Sequence, residues 1–142
     1  MKIAIASDHG GFELKEKIYN YLLEKQYDIT NFGTNSLDSC HYPIYAKKVC
    51  EAILKNNFDR GILICTTGIG MSIMANRFKG IRASLLSDKF SAEMTRKHNN
   101  SNVLCLGAKI IDEKLAKEII DIWLNTEFES GRHQTRIDMF DV

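Results

Sequence analysis

The segment GILICTTGIG, at residues 61–70, contains an apolar run, a cysteine and a glycine-rich loop in direct succession. The apolar run is typical of a strand that is covered on both faces of a parallel sheet. The glycines after it allow the backbone to turn tightly. We therefore predict a buried strand, a tight loop and a helix that begins near Gly70.

Short β-like runs alternate with helical patterns on both sides of this segment. We predict strands at residues 2–6, 27–32, 61–65, 82–86 and 102–106. Helices are predicted at about residues 11–25, 44–56, from 70 onward, 89–98 and 113–125. This alternation predicts a three-layer, doubly wound α/β fold of the Rossmann or flavodoxin type, with a helical C-terminal tail. We expect a five-stranded parallel sheet in the order 2-1-3-4-5.

Composition narrows the class of protein. The chain has 142 residues, of which 44% are apolar and 26% charged, with a net charge of +1. We expect one soluble domain over residues 1–142. No stripe of Lys and Arg favours nucleic acid, and no long apolar segment favours a membrane. Four cysteines without CxxC spacing indicate reduced thiols and a cytoplasmic location.

Two loops meet at the expected ligand site of such a sheet. Ligands bind at the carboxyl ends of the strands, where the strand order reverses. With the predicted order, this point lies between residues 7–11 and residues 65–70. The first loop reads SDHGG and the second CTTGIG.

The loop after Cys65 can point several backbone N–H groups into one concavity that favours an anion. A thiolate beside that concavity suits proton abstraction next to a carbonyl, because the developing enediolate oxygen is negative. Two known loop motifs are excluded because one required residue is missing. A Cys-x5-Arg phosphatase loop has arginine where this chain has Met71, and a dinucleotide-binding fingerprint has glycine where it has Ile73. A Walker A lysine is also absent. A buried, inert cysteine is an equal alternative on spacing alone.

Three further clusters carry polar side chains. Asp8 caps the following helix or acts beside His9, which can neutralise a phosphate. His98 ends a helix whose dipole favours an imidazolium, and a solvated histidine is the alternative. Arg132 and Arg136 share one helix face and can grip a phosphate, or they form a surface charge pair.

Together these motifs resemble the type B ribose-5-phosphate isomerases, which share a superfamily with galactose-6-phosphate and allose-6-phosphate isomerases. The resemblance covers nearly the whole chain. It rests on SDHGG at 7–11, YP at 42–43, GILICTTGIG at 61–70, ANRFKGIRA at 75–83, HN at 98–99, NVL at 102–104 and GRHQTR at 131–136. Each segment is weak alone, and all of them in order are specific.

The resemblance implies an aldose–ketose isomerase of the pentose phosphate pathway, acting on ribose 5-phosphate and ribulose 5-phosphate. It implies that Cys65 shuttles the proton between C1 and C2, and that His98 helps to open the furanose ring with Asp8 as a polar partner. Thr67 and the backbone of residues 66–70 would hold the sugar oxygens and the enediolate. The implied substrate-binding residues are Asp8, His9, Tyr42, Thr66, Thr67, Gly68, Ile69, Gly70, Asn99, Lys109, Arg132 and Arg136. His9, Arg132 and Arg136 would bind the phosphate.

The resemblance implies no metal or organic cofactor, and the sequence shows no cluster of metal ligands. Two positions depart from the family pattern. His41 stands where the family usually has Asp, and Lys109 stands where it often has Arg, which removes a bidentate fork. Both bear on which sugar fits.

Topology predicts a homodimer. A crossover helix runs antiparallel to the strands, so the helix that ends at His98 finishes at the amino edge of the sheet. Cys65 lies at the carboxyl edge, and a strand of about five residues spans about 17 Å. His98 and Asn99 must therefore come from a second subunit if they act with Cys65. The sequence leaves open whether dimers pair into tetramers.

Two alternatives to a five-carbon isomerase stay open at this point. One is an isomerase for a six-carbon sugar phosphate, which substrate profiling would distinguish. The other is a non-catalytic module that binds a phosphate or nucleotide on a flavodoxin-like sheet, because a fold does not fix a function.

Overall fold

A five-stranded parallel sheet forms the centre of the computed structural model, which describes residues 1–55 and 57–142. The strands are β1 (Lys2–Ser7), β2 (Asp28–Asn31), β3 (Arg60–Cys65), β4 (Ala83–Leu85) and β5 (Val103–Gly107). Their order across the sheet is β2-β1-β3-β5-β4. The predicted α/β class and the number of strands are confirmed.

The predicted order of the last two strands is wrong. We expected 2-1-3-4-5, but β5 lies between β3 and β4. All five residues of β5 are buried, whereas β4 has three residues that are exposed or half-buried. The physical reason is that a continuously apolar strand belongs inside a sheet covered on both faces, and a short polar strand is tolerated at an edge.

Helices connect successive strands and form the tail. They are α1 (Phe12–Glu24), α2 (Tyr42–Leu54), α3 (Ile69–Ala75), α4 (Lys89–Asn99), α5 (Glu113–Asn125) and α6 (Arg132–Ile137). The second helix begins two residues before its predicted start, with Pro43 in its first turn, where a missing N–H does no harm. Its predicted end, Asn56, lies outside the described residues.

Two apolar clusters fill the space between the sheet and its helices. Alternate residues of β1 and β3 face opposite ways, as the two-residue period of a strand requires. Ile3, Ile5, Ile62 and Ile64 pack with residues of α1, α4 and α5. Ala4, Ala6, Leu63 and Cys65 pack with residues of α2 and α3 on the other face. The sheet is therefore the middle layer of three.

A capping side chain defines the start of α4, and a residue with a left-handed backbone defines its end. The Ser91 N–H donates to Asp88 Oδ1 at 2.7 Å, which satisfies an orphan donor at the start of the helix. Asn100 closes the helix in the left-handed conformation, with φ of 46°. This end places His98 and Asn99 just before β5 begins.

Among residues 1–55 and 57–142, no helix combines the length and apolarity that a bilayer crossing requires.

Candidate functional site

Cys65 is the last residue of β3 and is buried, with 5% of its surface exposed. Its Sγ accepts a hydrogen bond from the Gly68 N–H at 3.1 Å. Gly68 has φ of 79°, and a Cβ there would lie 2.6 Å from Leu85 Cδ1. Only glycine fits this turn without strain. The turn therefore aims a backbone donor at the sulfur, at the carboxyl edge of the sheet.

Thr67 stabilises the start of α3 directly after this turn. Its Oγ1 accepts from the Ile69 N–H at 3.3 Å. Thr66 and Ile69 are exposed, so the loop faces solvent while its thiol stays covered. Tyr42, in the first turn of α2, lies over the same helix start: a Cβ at Gly70 would come within 2.7 Å of Tyr42 Cζ.

The SDHGG loop lies against the cysteine loop, as predicted. The Asp8 N–H donates to the carbonyl of Ile64 at 3.3 Å, immediately before Cys65. A Cβ at Gly10 would overlap Thr66 Oγ1, so the two backbones approach closely. The expected switch point between β1 and β3 therefore exists.

Asp8 is buried and performs the capping role that the sequence left open. Its Oδ1 accepts from the Gly11 N–H at 3.1 Å, which holds the turn His9–Gly11 in shape. The Asp8 carboxylate thus fixes the position of His9. The Asp8 backbone N–H, which donates to Ile64, holds the residue beside the cysteine loop.

One ring nitrogen of His9 is occupied by a backbone hydrogen bond. Its Nδ1 accepts from the Cys40 N–H at 3.2 Å, so the proton of the neutral ring lies on Nε2. His9 lines a cavity of about 300 Å³ together with Gly10, Leu37, Lys109 and Asp112. Lys109 is tied to the cysteine loop because its N–H donates to the carbonyl of Thr66 at 3.0 Å. Lys109 and His9 thus share one cavity with the carboxylates of Glu13, Asp112 and Glu113, and this cavity adjoins the cysteine loop at Thr66.

A second polar cluster forms where α4 ends and the tail begins. The rings of His98 and His133 stack with centroids 4.4 Å apart and planes at 17°. The Glu129 N–H donates to the carbonyl of Lys97 at 3.2 Å, which ties the tail to the end of α4. Asn99 Oδ1 accepts from Thr95 Oγ1 at 3.1 Å. We call His98, Asn99, Glu129, Arg132, His133 and Arg136 the amino-edge cluster.

Positive charge surrounds His133 in this cluster. Its pKa is lowered, first by burial and then by the nearby charges of His98 and Arg132, while Glu129 acts in the opposite direction. Glu129 Oε1 lies 3.5 Å from His133 Nε2. Arg132 and Arg136 are exposed on the short helix α6, as their spacing predicted.

The sequence reasoning gave no role to Glu129 or His133. It also expected no cluster of metal ligands, and the structure corrects that expectation. Donor atoms of His98, Glu129 and His133 all lie within 4.8 Å of one another. The position of His133 between two arginines was the one sequence feature that pointed to a polar cluster in the tail. The sequence did not predict its contact with His98, because that contact requires the tail to fold back onto α4.

The structure divides the predicted site residues between two edges of the sheet. The group at the carboxyl edge comprises Asp8, His9, Tyr42, Cys65, Thr66, Thr67, Gly68, Ile69, Gly70 and Lys109. His98, Asn99, Arg132 and Arg136 lie at the amino edge: Arg82 Nε, beside the start of β4, donates to the carbonyl of Asn99 at 3.1 Å. A strand of six residues such as β3 spans roughly 20 Å. One chain therefore does not bring His98 to Cys65.

The remaining cysteines lie in other surroundings. All four cysteines are free. Burial raises the pKa of Cys50 to about 12 and also raises the pKa of Cys105, so both stay protonated thiols near neutral pH. Cys40 is half-buried beside His9, with Sγ 3.9 Å from Nδ1.

A comparison with known proteins identifies the family. The model of the Ribose/Galactose Isomerase family matches residues 3–140. The chain belongs to this family. This ribose/galactose isomerase is 45% identical to the ribose-5-phosphate isomerase B of Escherichia coli over 137 residues, which cover 96% of the chain and 92% of the relative.

Solved structures agree with the family assignment. A ribose 5-phosphate isomerase from Thermotoga maritima matches with a TM-score of 0.97 and 53% identity, over 99% of this chain and 97% of that one. Ribose-5-phosphate isomerase B from Mycoplasma genitalium, solved with bound ribulose-5-phosphate, matches with a TM-score of 0.93 and 42% identity, over 96% and 91% of the two chains. The predicted family and isomerase class are confirmed.

Proposed function

We propose that this isomerase interconverts ribose 5-phosphate and ribulose 5-phosphate through an enediolate. One observation carries the proposal: Cys65 Sγ lies at the carboxyl edge in contact with a glycine turn, and the next residue, Thr66, contacts Gly10 and Lys109, which line a cavity with His9. A sulfur base, backbone donors and phosphate-binding cations are the groups that this reaction needs. The relative from Mycoplasma genitalium was solved with ribulose-5-phosphate bound, which supports the same sugar here.

In the proposed reaction, His98 assists opening of the furanose ring, with Asp8 as a polar partner. The Cys65 thiolate then removes the proton from C2 and returns it to C1, while a proton moves from O2 to O1. Thr67 and the backbone N–H groups of residues 66–70 hold the enediolate oxygens. One such donor typically contributes about 2.7–4 kcal/mol of barrier lowering in other enzymes.

The phosphate lies in the cavity beside His9 in this proposal. Because Cys40 occupies Nδ1, the Nε2–H of His9 is the group left to donate to a phosphate oxygen. Arg132 and Arg136 bind the same phosphate with their guanidinium forks. Lys109 contributes a point charge from the wall of the cavity. Tyr42 and Asn99 contact the sugar.

The separation of the two edges makes the proposed site a composite one. His98, Asn99, Arg132 and Arg136 reach Cys65 only when a second subunit places its amino edge over the first subunit's carboxyl edge. A twofold axis generates two such sites in one homodimer. The same argument leaves room for dimers to pair into tetramers.

We further propose that residues 1–142 act as one catalytic domain, in the cytoplasm and in the pentose phosphate pathway. A reducing compartment fits a catalytic thiol and four free cysteines. Neither the thiol base nor the phosphate contacts in this mechanism call for a bound metal or organic cofactor.

The direct test incubates the purified protein with ribose 5-phosphate, allose 6-phosphate and galactose 6-phosphate, and follows ketose formation. We expect the highest kcat/KM for ribose 5-phosphate. A preference for a six-carbon phosphate would replace the proposed sugar and would direct attention to His41 and Lys109. Absence of turnover with all three would overturn the proposal.

Thiol alkylation gives a second test of the same site. Iodoacetamide should inactivate the enzyme, and ribose 5-phosphate should protect it. Cys50 and Cys105 should stay unmodified in the folded protein, because both are fully buried and have raised pKa values. The Cys40→Ser variant serves as the control, since it removes the half-buried thiol beside His9 and should still be inactivated.

A further inference from the structure

Three side chains of the amino-edge cluster form a group that the proposed reaction does not use as a group. His98, Glu129 and His133 each offer one donor atom, and these atoms lie within 4.8 Å of one another. Only His98 has a role in the isomerisation. The proposed reaction therefore does not explain why Glu129 and His133 lie beside His98.

The spacing of the three donor atoms is close to that of a metal site, but their orientation is not. The rings of His98 and His133 stack with planes at 17°, so the His98 ring must turn before both nitrogen lone pairs point at one ion. A tetrahedral zinc ion, with bonds of about 2.0–2.1 Å, places neighbouring donors about 3.3 Å apart. The Glu129 and His133 donors are already 3.5 Å apart. The side chain of Glu129 is 51% exposed, and His98 is half-buried, so both can move by the remaining distance. His133 is buried and supplies the fixed ligand.

We propose that His98, Glu129 and His133 bind a divalent transition-metal ion of the zinc class, and that the bound ion inhibits the isomerase. The ion would occupy the imidazole that opens the sugar ring, so metal and turnover exclude each other. The inhibitory part of this inference rests on the proposed function; the binding part does not.

The donor set determines which ions fit. Two imidazoles and one carboxylate suit Zn²⁺, Co²⁺, Ni²⁺ or Cu²⁺, whereas Mg²⁺ and Ca²⁺ prefer sites made of oxygen. Three protein ligands leave one position for water, as in catalytic zinc sites. The positive charge of Arg132 and Arg136 opposes a cation, and solvent screens these exposed guanidiniums. We expect a reversible, micromolar affinity.

The test of binding starts from protein that has been treated with EDTA and desalted. Zn²⁺ is titrated in competition with a chromogenic chelator at pH 7.5. We expect one equivalent per chain. Loss of a group that only supports a metal ligand typically costs about 10–100-fold in affinity, so Glu129→Gln, which removes the anionic ligand itself and keeps its shape, should weaken binding at least about tenfold. Glu127→Gln is the matched control: it removes an exposed charge two residues away and should bind as the original chain does.

Thiols are the competing ligands, and two measurements separate them. Cys65→Ser and Cys40→Ser should retain the same zinc affinity. Co²⁺ bound to the protein should lack the near-ultraviolet charge-transfer band that a thiolate ligand produces. The proposal fails if the original chain binds no zinc, if Glu129→Gln binds as tightly as Glu127→Gln, or if the cysteine variants lose binding. Equal melting temperatures of the two glutamine variants exclude misfolding as the cause.

The test of inhibition uses ribose 5-phosphate as substrate. Zn²⁺ should stop turnover at the concentration at which it binds, and EDTA should restore it. Metal-free Glu129→Gln should turn over as the original chain does and should need about tenfold more zinc for inhibition. Stoichiometric binding without inhibition would overturn the proposal as stated. A chain that isomerises no sugar phosphate would refute the proposed function, while the titration still decides the metal site.

Discussion

The carboxyl-edge pocket around Cys65 and the amino-edge cluster around His98 are built in different ways. The pocket consists of loops that continue directly from buried strands, and backbone hydrogen bonds tie one loop to the next. The cluster consists of a helix end and a tail that meet through side chains, two of them stacked imidazoles. The proposed base, Cys65, lies in one region, and the histidine proposed to open the sugar ring, His98, lies in the other. The contrast implies that neither edge performs the reaction alone.

The largest expected effect comes from removing the base of the carboxyl-edge pocket. Cys65→Ser should lower kcat about 10²–10⁴-fold, because a hydroxyl is a far weaker base at neutral pH. Substrate affinity, measured by calorimetry, should stay within about twofold, because the phosphate contacts remain. Cys50→Ala removes a buried thiol of α2, which is not part of the cysteine loop, and should retain turnover. Activity in Cys65→Ser would place the chemistry elsewhere.

A subunit-mixing experiment tests whether the two edges cooperate between chains. Cys65→Ser and His98→Asn chains should each be nearly inactive as homodimers. Denatured together in equal amounts and refolded, half of the dimers are mixed, and each mixed dimer has one intact site. Activity should therefore return to about a quarter of the original value.

The control for this experiment places both substitutions in one chain. Mixed with a chain that carries Cys65→Ser alone, the doubly substituted chain forms no intact composite site and should recover nothing. Full activity of a dilute monomer of the original chain would contradict the composite site directly.

Arg136→Ala tests the contribution of the amino-edge cluster to phosphate binding. Loss of a charge-assisted hydrogen bond costs about 1.5–3 kcal/mol, so kcat/KM should fall about 10–100-fold, mainly through KM. The effect should be small with an unphosphorylated ribose. Gln134→Ala on the same helix removes an exposed polar side chain and is the matched control. A fall in kcat with KM unchanged would assign Arg136 to the chemical step instead.

The smallest effect concerns stability and separates two glycines with left-handed backbones, one at each edge. Gly68→Ala forces a Cβ to within 2.6 Å of Leu85 Cδ1, whereas nothing lies within 4 Å of a Cβ at Gly131. Overpacking should make the Gly68 variant less stable than Gly131→Ala by about 1–3 kcal/mol. Urea unfolding measures this difference. Equal losses would show that the backbone conformation, and not the packing around the cysteine loop, requires glycine at residue 68.

The proximity of the two loops at residues 7–11 and 65–70 could be predicted from the sequence. Both loops follow apolar strands, and the ends of parallel strands meet at one edge. Tyr42 and Lys109 were placed here only by the family resemblance. The alternation of strands and helices could not predict the order of β4 and β5. A chain that passes from β3 to the edge strand β4 and then returns to β5 in the interior has the same sequence of elements as one that adds its strands in order. The higher apolar content of β5, compared with β4, was the better indication that β5 lies inside the sheet.

The amino-edge cluster shows where local patterns stop being informative. The end of α4 near residue 98 and the helical tail are local features, and both were predicted. The contact between His98 and His133 joins residues far apart in the chain, and it depends on how the tail packs against α4.

The sequence by itself determined the alternation of strands and helices, the glycine turn at Cys65 and the placement of Cys65 and His98 at opposite edges. Each of these follows from hydrogen bonding and side-chain periodicity within a few residues, or from the direction of a crossover helix. Only the tertiary structure decided the position of β5, the buried cap at Asp8 and the grouping of His98 with Glu129 and His133. These features depend on which distant surfaces bury each other, and that is a property of the packed chain as a whole.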